Sequence, residues 1–384
     1  MDQNTSIPLT TPKFDEAEVN AVAEVLRSGW VTQGPMTKRF ETLVASRHQV
    51  AHALATTSCT AALHLATMAL QLGPGDEVIV PAFTWVTSAH CAEYVGAKAV
   101  FADVDPNTFN LDPAAVEAAI TPRTRAIVAV HLFGLAAPMD EIMAIAQRHG
   151  LAVIEDAACA IGTSYKGKPI GGIGTLGCFS FHPRKVITTG EGGMVTSNDP
   201  GLAARVNSLR NHGATGLPAS DPTGKHLYTM STFELLGYNL RLSDIQSGVG
   251  VAQFAKLEAL LTERHQRGVR YAQMLSQVAD LALPAGHLAD GHTYQSFVIR
   301  VLEGGNARRN AIMDHMAANS IQTRPGTHAV HRLGYYREKY GLRPEAFPNA
   351  ALCEDTTITL PIFPGMTDAD QDRVVQVLLS AMAG

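Results

Sequence analysis

Two textures alternate along the first half of the chain. Short apolar runs at 77–80, 98–102, 126–130 and 152–155 read as strands. Between them lie stretches with helical spacing, at 61–72, from 85 to about 94, and at 112–119 and 138–149. This alternation predicts an α/β fold, a mostly parallel sheet with helices on both faces. Ligands in such folds bind beyond the carboxyl ends of the strands. The segments that matter are then 81–85, 131–134, 156–160 and 182–185.

An earlier segment predicts a helix of its own. Asp15 caps it, Glu18 completes a capping box, and Gly29 ends it. Val19, Val22, Ala23 and Leu26 form its apolar stripe. A glycine-bounded loop, 29–35, follows and carries Trp30 and Thr32. Helical patterns return at 201–210 and 241–262, and the Gly/Pro-rich stretch 213–224 reads as a long loop. From about Ala252 the texture shifts to longer helices and isolated strands such as 295–301. We therefore divide the chain into a large domain with an N-terminal segment, 1–250, and a smaller C-terminal α/β domain, 251–384.

Composition narrows the partners. Of 384 residues, 46% are hydrophobic and 17% charged, so a substantial core is expected. A net charge of -5 argues against nucleic acid or an anionic membrane as the main partner. No apolar run approaches membrane-spanning length, and the first residues lack a signal pattern. The five cysteines, at 59, 91, 159, 178 and 353, form no close pair and read as reduced cytoplasmic thiols. His328 and His331 read as loop or surface histidines, and no metal site is expected.

The candidate chemistry centres on 177–193. An apolar strand end, 178–181, is halted by Pro183, and Lys185 follows. Beyond it come Thr188, Thr189 and the glycines at 190, 192 and 193, which suit a tight turn beside a bound group. A lysine in that setting suits a desolvated amine able to form a Schiff base with an aldehyde. Three further features fit one cofactor, pyridoxal 5'-phosphate (PLP). Asp156, just past a strand, can pair with the ring nitrogen; it can equally cap the residues after it. Trp85 can wall the ring or pack in the core. Ser58, Cys59 and Thr60 open a helix whose N–H groups and hydroxyls can hold a phosphate, and Ser180 can add a hydroxyl. The glycine spacings do not match a dinucleotide fingerprint.

These motifs resemble the DegT/DnrJ/EryC1/StrS sugar aminotransferases. Asp156-Ala157-Ala158-Cys159-Ala160, Ser180-Phe181-His182-x-x-Lys185 and Thr189-Gly190-Glu191-Gly192-Gly193 carry the resemblance. So do Gly29-Trp30-Val31-Thr32-Gln33-Gly34-Pro35, Ser58-Cys59-Thr60, Gly237-Tyr238-Asn239-x-Arg241 and Leu360-Pro361-Ile362-Phe363-Pro364-Gly365. The resemblance implies the aspartate aminotransferase architecture, fold type I, as a homodimer with active sites at the subunit interface. It implies that Lys185 bonds to the cofactor aldehyde and that Asp156 pairs with the ring nitrogen. Trp85 matches the stacking position, and Ser58, Cys59, Thr60 and Ser180 match phosphate positions. Asn239 matches an asparagine that reaches the phosphate from the partner subunit. Two positions depart from the family: Cys59 stands where glycine is common, and Cys159 where glutamine is common.

The implied reaction moves an amino group from L-glutamate to a keto sugar, nucleotide-linked, for deoxyamino-sugar and surface-polysaccharide or natural-product glycan synthesis. The cofactor then alternates between PLP and pyridoxamine phosphate (PMP). Trp30, Thr32, Arg241, Arg324, His328 and His331 are the substrate-side candidates, the arginines for a diphosphate or a donor carboxylate. Two other readings share the fold, a sugar dehydratase and a cofactor-binding regulatory protein. Relatives with histidine in place of the lysine are dehydratases, so Lys185 favours the aminotransferase.

Overall fold

The computed structural model describes residues 6–215, 230–285 and 291–383. The main sheet has seven strands, in the order His52–Thr56, Gly193–Ser197, Leu176–Ser180, Ala152–Asp156, Thr124–Val130, Glu77–Pro81 and Lys98–Ala102. Only Gly193–Ser197 runs against the others. This is the α/β architecture expected from the alternating texture.

Burial explains why these strands read as unbroken apolar runs. Glu77–Pro81, Leu176–Ser180 and Gly193–Ser197 are buried along their whole length. Successive residues still serve opposite faces. Val78, Val80 and Val128 pack with Leu63, Leu65 and Phe83. Ile79, Ile127 and Ala129 pack with Met139, Ile142 and Ile145 from the helix Met139–His149. Fixed between two helical layers, the strands present their carboxyl ends as a rigid edge.

A three-stranded antiparallel sheet, Leu281–Ala282, Phe297–Val301 and Thr357–Leu360, has its own core. Phe297, Ile299, Ile358 and Leu360 meet Tyr271, Ile312, Met316, Val374 and Leu378. The N-terminal segment joins this second core. Ile7 is buried in it, Ile7 N–H donates to the Ser320 carbonyl at 2.9 Å, and Ile362 N–H donates to the Leu9 carbonyl at 3.1 Å.

The helix Glu16–Ser28 has the expected ends. Asp15 accepts from Ala17 N–H, Glu18 accepts from Asp15 N–H, and Gly29 adopts φ 73°. Its orientation differs from expectation. Val19 and Leu26, members of the apolar stripe, are 59% and 56% exposed, whereas Glu18 and Val25 are buried. The cause is Glu18. Its carboxylate also accepts from Gln253 at 2.8 Å and pairs with Lys256 at 2.5 Å. These bonds turn the capping-box face inward against the helix Asp244–Ala255 and leave Val19 and Leu26 outside, with Val22 and Ala23 half-buried. The expected 241–262 helix is likewise two helices, Asp244–Ala255 and Leu257–Leu275, broken at the Lys256 that makes this pair. Most of the expected loop 213–224 lies outside the described residues.

Asp244 joins distant parts of the chain. Ser243 caps the helix Asp244–Ala255, while the Asp244 carboxylate accepts from Gly34, Met36 and Thr37 N–H and from the Thr37 hydroxyl, at 2.7–3.0 Å. It thus caps the helix Pro35–His48, whose own N-cap, Gly34, has no side chain to do so.

Candidate active site

A cavity of about 390 Å³ opens at the carboxyl edge of the main sheet. Its walls include Ser58, Cys59, Thr60, Trp85, Asp156, Ser180 and Lys185, brought together from segments far apart in the chain. Arg324 also lines it.

Asp156 is the last residue of the strand Ala152–Asp156 and is 4% exposed. The Ser88 hydroxyl donates to one carboxylate oxygen at 2.6 Å, and Ala158 N–H to the other at 3.1 Å. Ser88 is held in turn by Thr84 at 3.0 Å. Both suggested tasks are therefore open to this carboxylate: one oxygen caps the turn after the strand, and the group still borders the cavity. Among the described residues no cation pairs with it, although its neighbour Glu155 is fully paired. A buried carboxylate facing a cavity without a counter-charge fits a cationic ring nitrogen.

Lys185 lies beyond the strand Leu176–Ser180 and is half-buried. Its Nζ donates to Cys159 Sγ at 3.1 Å. Cys159 is the least buried of the five cysteines. Its thiol thus meets the cavity amine directly, at the position where the sequence departs from the resembled family.

The helix Cys59–Ala69 points its N-terminus into the cavity. Ser58 Oγ accepts from Ala61 N–H at 3.1 Å, and Ser58 is the N-cap. Cys59 and Thr60 begin the helix, so their N–H groups have no partner within it and face an anion site with the helix dipole behind them. The Cys59 thiol turns away, toward the Cys178 carbonyl at 3.7 Å, and burial pushes its pKa up. Only its backbone serves the cavity, and its φ is not positive, so no glycine is required there. Gly193 makes this turn possible from behind. A Cβ on Gly193 would lie 2.4 Å from the Ser58 carbonyl carbon and oxygen and 2.6 Å from Cys59 N. Ser180, opposite Gly193 in the sheet, is buried at the same wall. This anion cradle, the unpaired Asp156 and the amine of Lys185 together fit PLP.

Trp85 lines the cavity, 56% exposed, with its ring centroid 5.7 Å from that of His328. His328 and Arg324 border an adjoining cavity of about 480 Å³. The other substrate-side candidates lie elsewhere. The Trp30 indole N–H donates to the Gln33 carbonyl at 3.1 Å on an exposed loop, and the Thr32 carbonyl accepts from Asp244 N–H. Asn239 is exposed, and the Arg241 guanidinium donates to Asn211 at 2.6 Å; neither borders the cavity within this chain. His331 is no surface residue: it is wholly buried, donates to the Pro344 carbonyl at 2.9 Å and packs on Phe347.

Sequence reasoning missed Ser88, which bonds Asp156, and Gln295, which lines the cavity. Arg184 also lines it, inside the segment 182–185 expected to matter, and Thr327 does so between the candidates Arg324 and His328. Among the described residues no group of His, Cys, Asp and Glu is arranged to hold a metal ion, and no helix is long and apolar enough to cross a membrane.

Comparison with known proteins gives the same direction. The model of the DegT/DnrJ/EryC1/StrS aminotransferase family matches residues 12–379. GDP-perosamine synthase of Caulobacter vibrioides is 38% identical over 374 residues, 97% of this chain and 97% of that protein. The spore coat polysaccharide biosynthesis protein SpsC of Bacillus subtilis is 37% identical over 386 residues, 100% of this chain and 98% of that protein. Among solved structures, the PMP form of Spr1654 from Streptococcus pneumoniae superposes with a TM-score of 0.92 at 28% identity, covering 98% of this chain and 99% of that one.

Proposed function

Because the chain belongs to the DegT/DnrJ/EryC1/StrS family and is a PLP-dependent sugar aminotransferase, we propose that it takes its amino group from L-glutamate and delivers it to a nucleotide-linked keto sugar. The observation that carries this reading is the meeting of the Lys185 amine, the unpaired Asp156 carboxylate and the helix N-terminus at Ser58 around one cavity. PLP, when bound, supplies an aldehyde for the amine and a ring that stabilises negative charge on the neighbouring carbon.

The chain's own groups do the rest. Asp156 holds the ring nitrogen protonated, and Ser88 keeps that carboxylate aimed into the cavity. Ser58, Cys59, Thr60 and Ser180 hold the phosphate through N–H groups and hydroxyls, and Trp85 covers the ring. Lys185 Nζ, once free, removes a proton from the substrate carbon and returns it as general base and then acid. We propose that residues 1–250 carry this pocket and that 251–384 close it, a division supported by Gln295, Arg324 and Thr327 reaching the cavity beside the second sheet.

The active form is proposed to be a homodimer. Phe14, Val19, Leu26, Trp30 and Val31 are all large, apolar and at least 43% exposed, and Asn239 and Arg241 sit outside their own cavity. Asn239 of the partner subunit then completes the phosphate site. Sedimentation at micromolar concentration tests this, and a monomer that turns over would refute it.

The reaction is tested by mixing the PLP-loaded protein with L-glutamate and following the cofactor's visible band together with 2-oxoglutarate release. Lys185→Ala is expected to abolish turnover. Normal turnover in that variant, or no release of 2-oxoglutarate by the parent protein, would end this reading in favour of a dehydratase or a regulatory protein.

A further inference from the structure

Arg184 and Arg324 stand at a junction. Both line the 390 Å³ cavity, the adjoining 480 Å³ cavity and a third of about 750 Å³ bordered by Ser6, Leu9 and Asp314. Neither guanidinium pairs with a carboxylate among the described residues. The contrast with Arg332 is direct: that side chain is closed by Glu354 and Asp355, which border the 480 Å³ cavity, at 2.8–3.0 Å.

Arg324 is the more telling of the two. It is not a loose surface residue, since its carbonyl accepts from Thr359 N–H at 2.7 Å, in the second sheet. Its Nε is buried without an acceptor. Burial also holds its pKa below the usual arginine range, and the Arg184 charge pushes the same way. A buried donor without an acceptor, next to a like charge, is a costly arrangement in an empty pocket. An anion between the two guanidiniums removes both costs, and the planar fork of arginine suits carboxylate and phosphate oxygens alike.

The other charges at the cavity are already engaged or ill-placed. Lys185 and Asp156 serve the cofactor, and Glu191 lies 4.0 Å from His182 on the exposed rim. We propose that Arg184 and Arg324 form an anion-binding site at the mouth of the active-site cavity, taking a substrate carboxylate or diphosphate. The donor arm rests on the proposed use of glutamate; the site itself does not. A dicarboxylic donor would place its second carboxylate there, and a nucleotide-linked acceptor its diphosphate.

Calorimetric titration of the PLP-loaded protein separates these sources. The probes are glutarate, a dicarboxylate without the amine, and GDP, UDP and dTDP. R184Q and R324Q are each expected to weaken binding by roughly 10- to 100-fold, the range for losing a charge-assisted hydrogen bond. Loss confined to glutarate assigns the site to the donor, and loss confined to the nucleotides assigns it to the acceptor. R184K and R324K, which keep the charge but not the fork, should recover part of the loss. Unchanged binding of every probe in both glutamine variants, with melting temperatures like the parent's, would overturn the site. If the parent fails to release 2-oxoglutarate from glutamate, the donor reading fails, while the nucleotide arm still decides the site.

Discussion

Gly193→Ala is the sharpest perturbation this architecture offers, because the added atom has nowhere to go. The new Cβ would sit 2.4 Å from the Ser58 carbonyl carbon and oxygen, against an ordinary contact of 3.4 Å or more. One backbone must retreat by about 1 Å. Gly193 itself is held by Thr56 on one side and Ser180 on the other, at the start of a strand paired along both edges. The turn at Ser58 and Cys59, which borders the cavity, is expected to give way. Overpacking of this kind costs about 1–3 kcal/mol. The displaced N–H groups also lose aim at the phosphate, and each charge-assisted bond there is worth about 1.5–3 kcal/mol. The dissociation constant for PLP should therefore rise by roughly 10- to 100-fold. Absorbance titration of the cofactor-free protein measures it, with melting curves taken with and without PLP. The parent should gain more from the cofactor than the variant does. A variant that binds PLP as tightly as the parent, at an unchanged melting temperature, would show that the cradle does not depend on this close approach.

Three other outcomes follow from particular side chains. Asp244→Ala should lower stability by about 2–4 kcal/mol, since four donors around Thr37 lose one buried acceptor, and urea unfolding reads it; a change below about 0.5 kcal/mol would contradict the capping role. Stability should fall as pH drops from about 6.5 toward 4, because burial lowers the His48 pKa to about 4 and that of His292 to about 3. The unfolded chain takes up protons in that window that the folded chain refuses, and above the ordinary histidine value the effect vanishes. His48→Gln should flatten the profile of unfolding midpoint against pH; an unaltered profile would remove His48 from the account. Iodoacetamide should label Cys159 before the other four cysteines, which are buried, and PLP should protect it, as mass spectrometry of peptides would show. Equal labelling of Cys91 or Cys353 would refute that order.

Much of the sheet was legible because each buried strand must be apolar on both faces and each crossover must be helical. Asp156, Ser180 and Lys185 were legible for a related reason: a polar group just past such a strand has few other uses. Ser88 carries no such mark. It lies inside the helix Thr87–Tyr94, and its importance comes from a carboxylate 68 positions later. Gln295 is equally silent, since it reaches the cavity from beside a sheet whose packing no local pattern encodes. The stripe on Glu16–Ser28 shows the limit from the other side. Its periodicity is real, but periodicity does not say which face the chain covers, and Glu18 bound to Gln253 and Lys256 decided against it. His331 was misjudged because a short turn around 330–332 gives no period from which burial can be read.

The seam between Ile7–Leu9 and the far end of the chain also sets an order of events during synthesis. Leu9 N–H finds its acceptor on Gln322, 313 positions downstream, and Ile362 emerges later still. Residues 7–9 therefore wait for these partners until the chain has been made as far as 320–362. A nascent chain stalled before 322 would leave the segment 7–9 open to proteases.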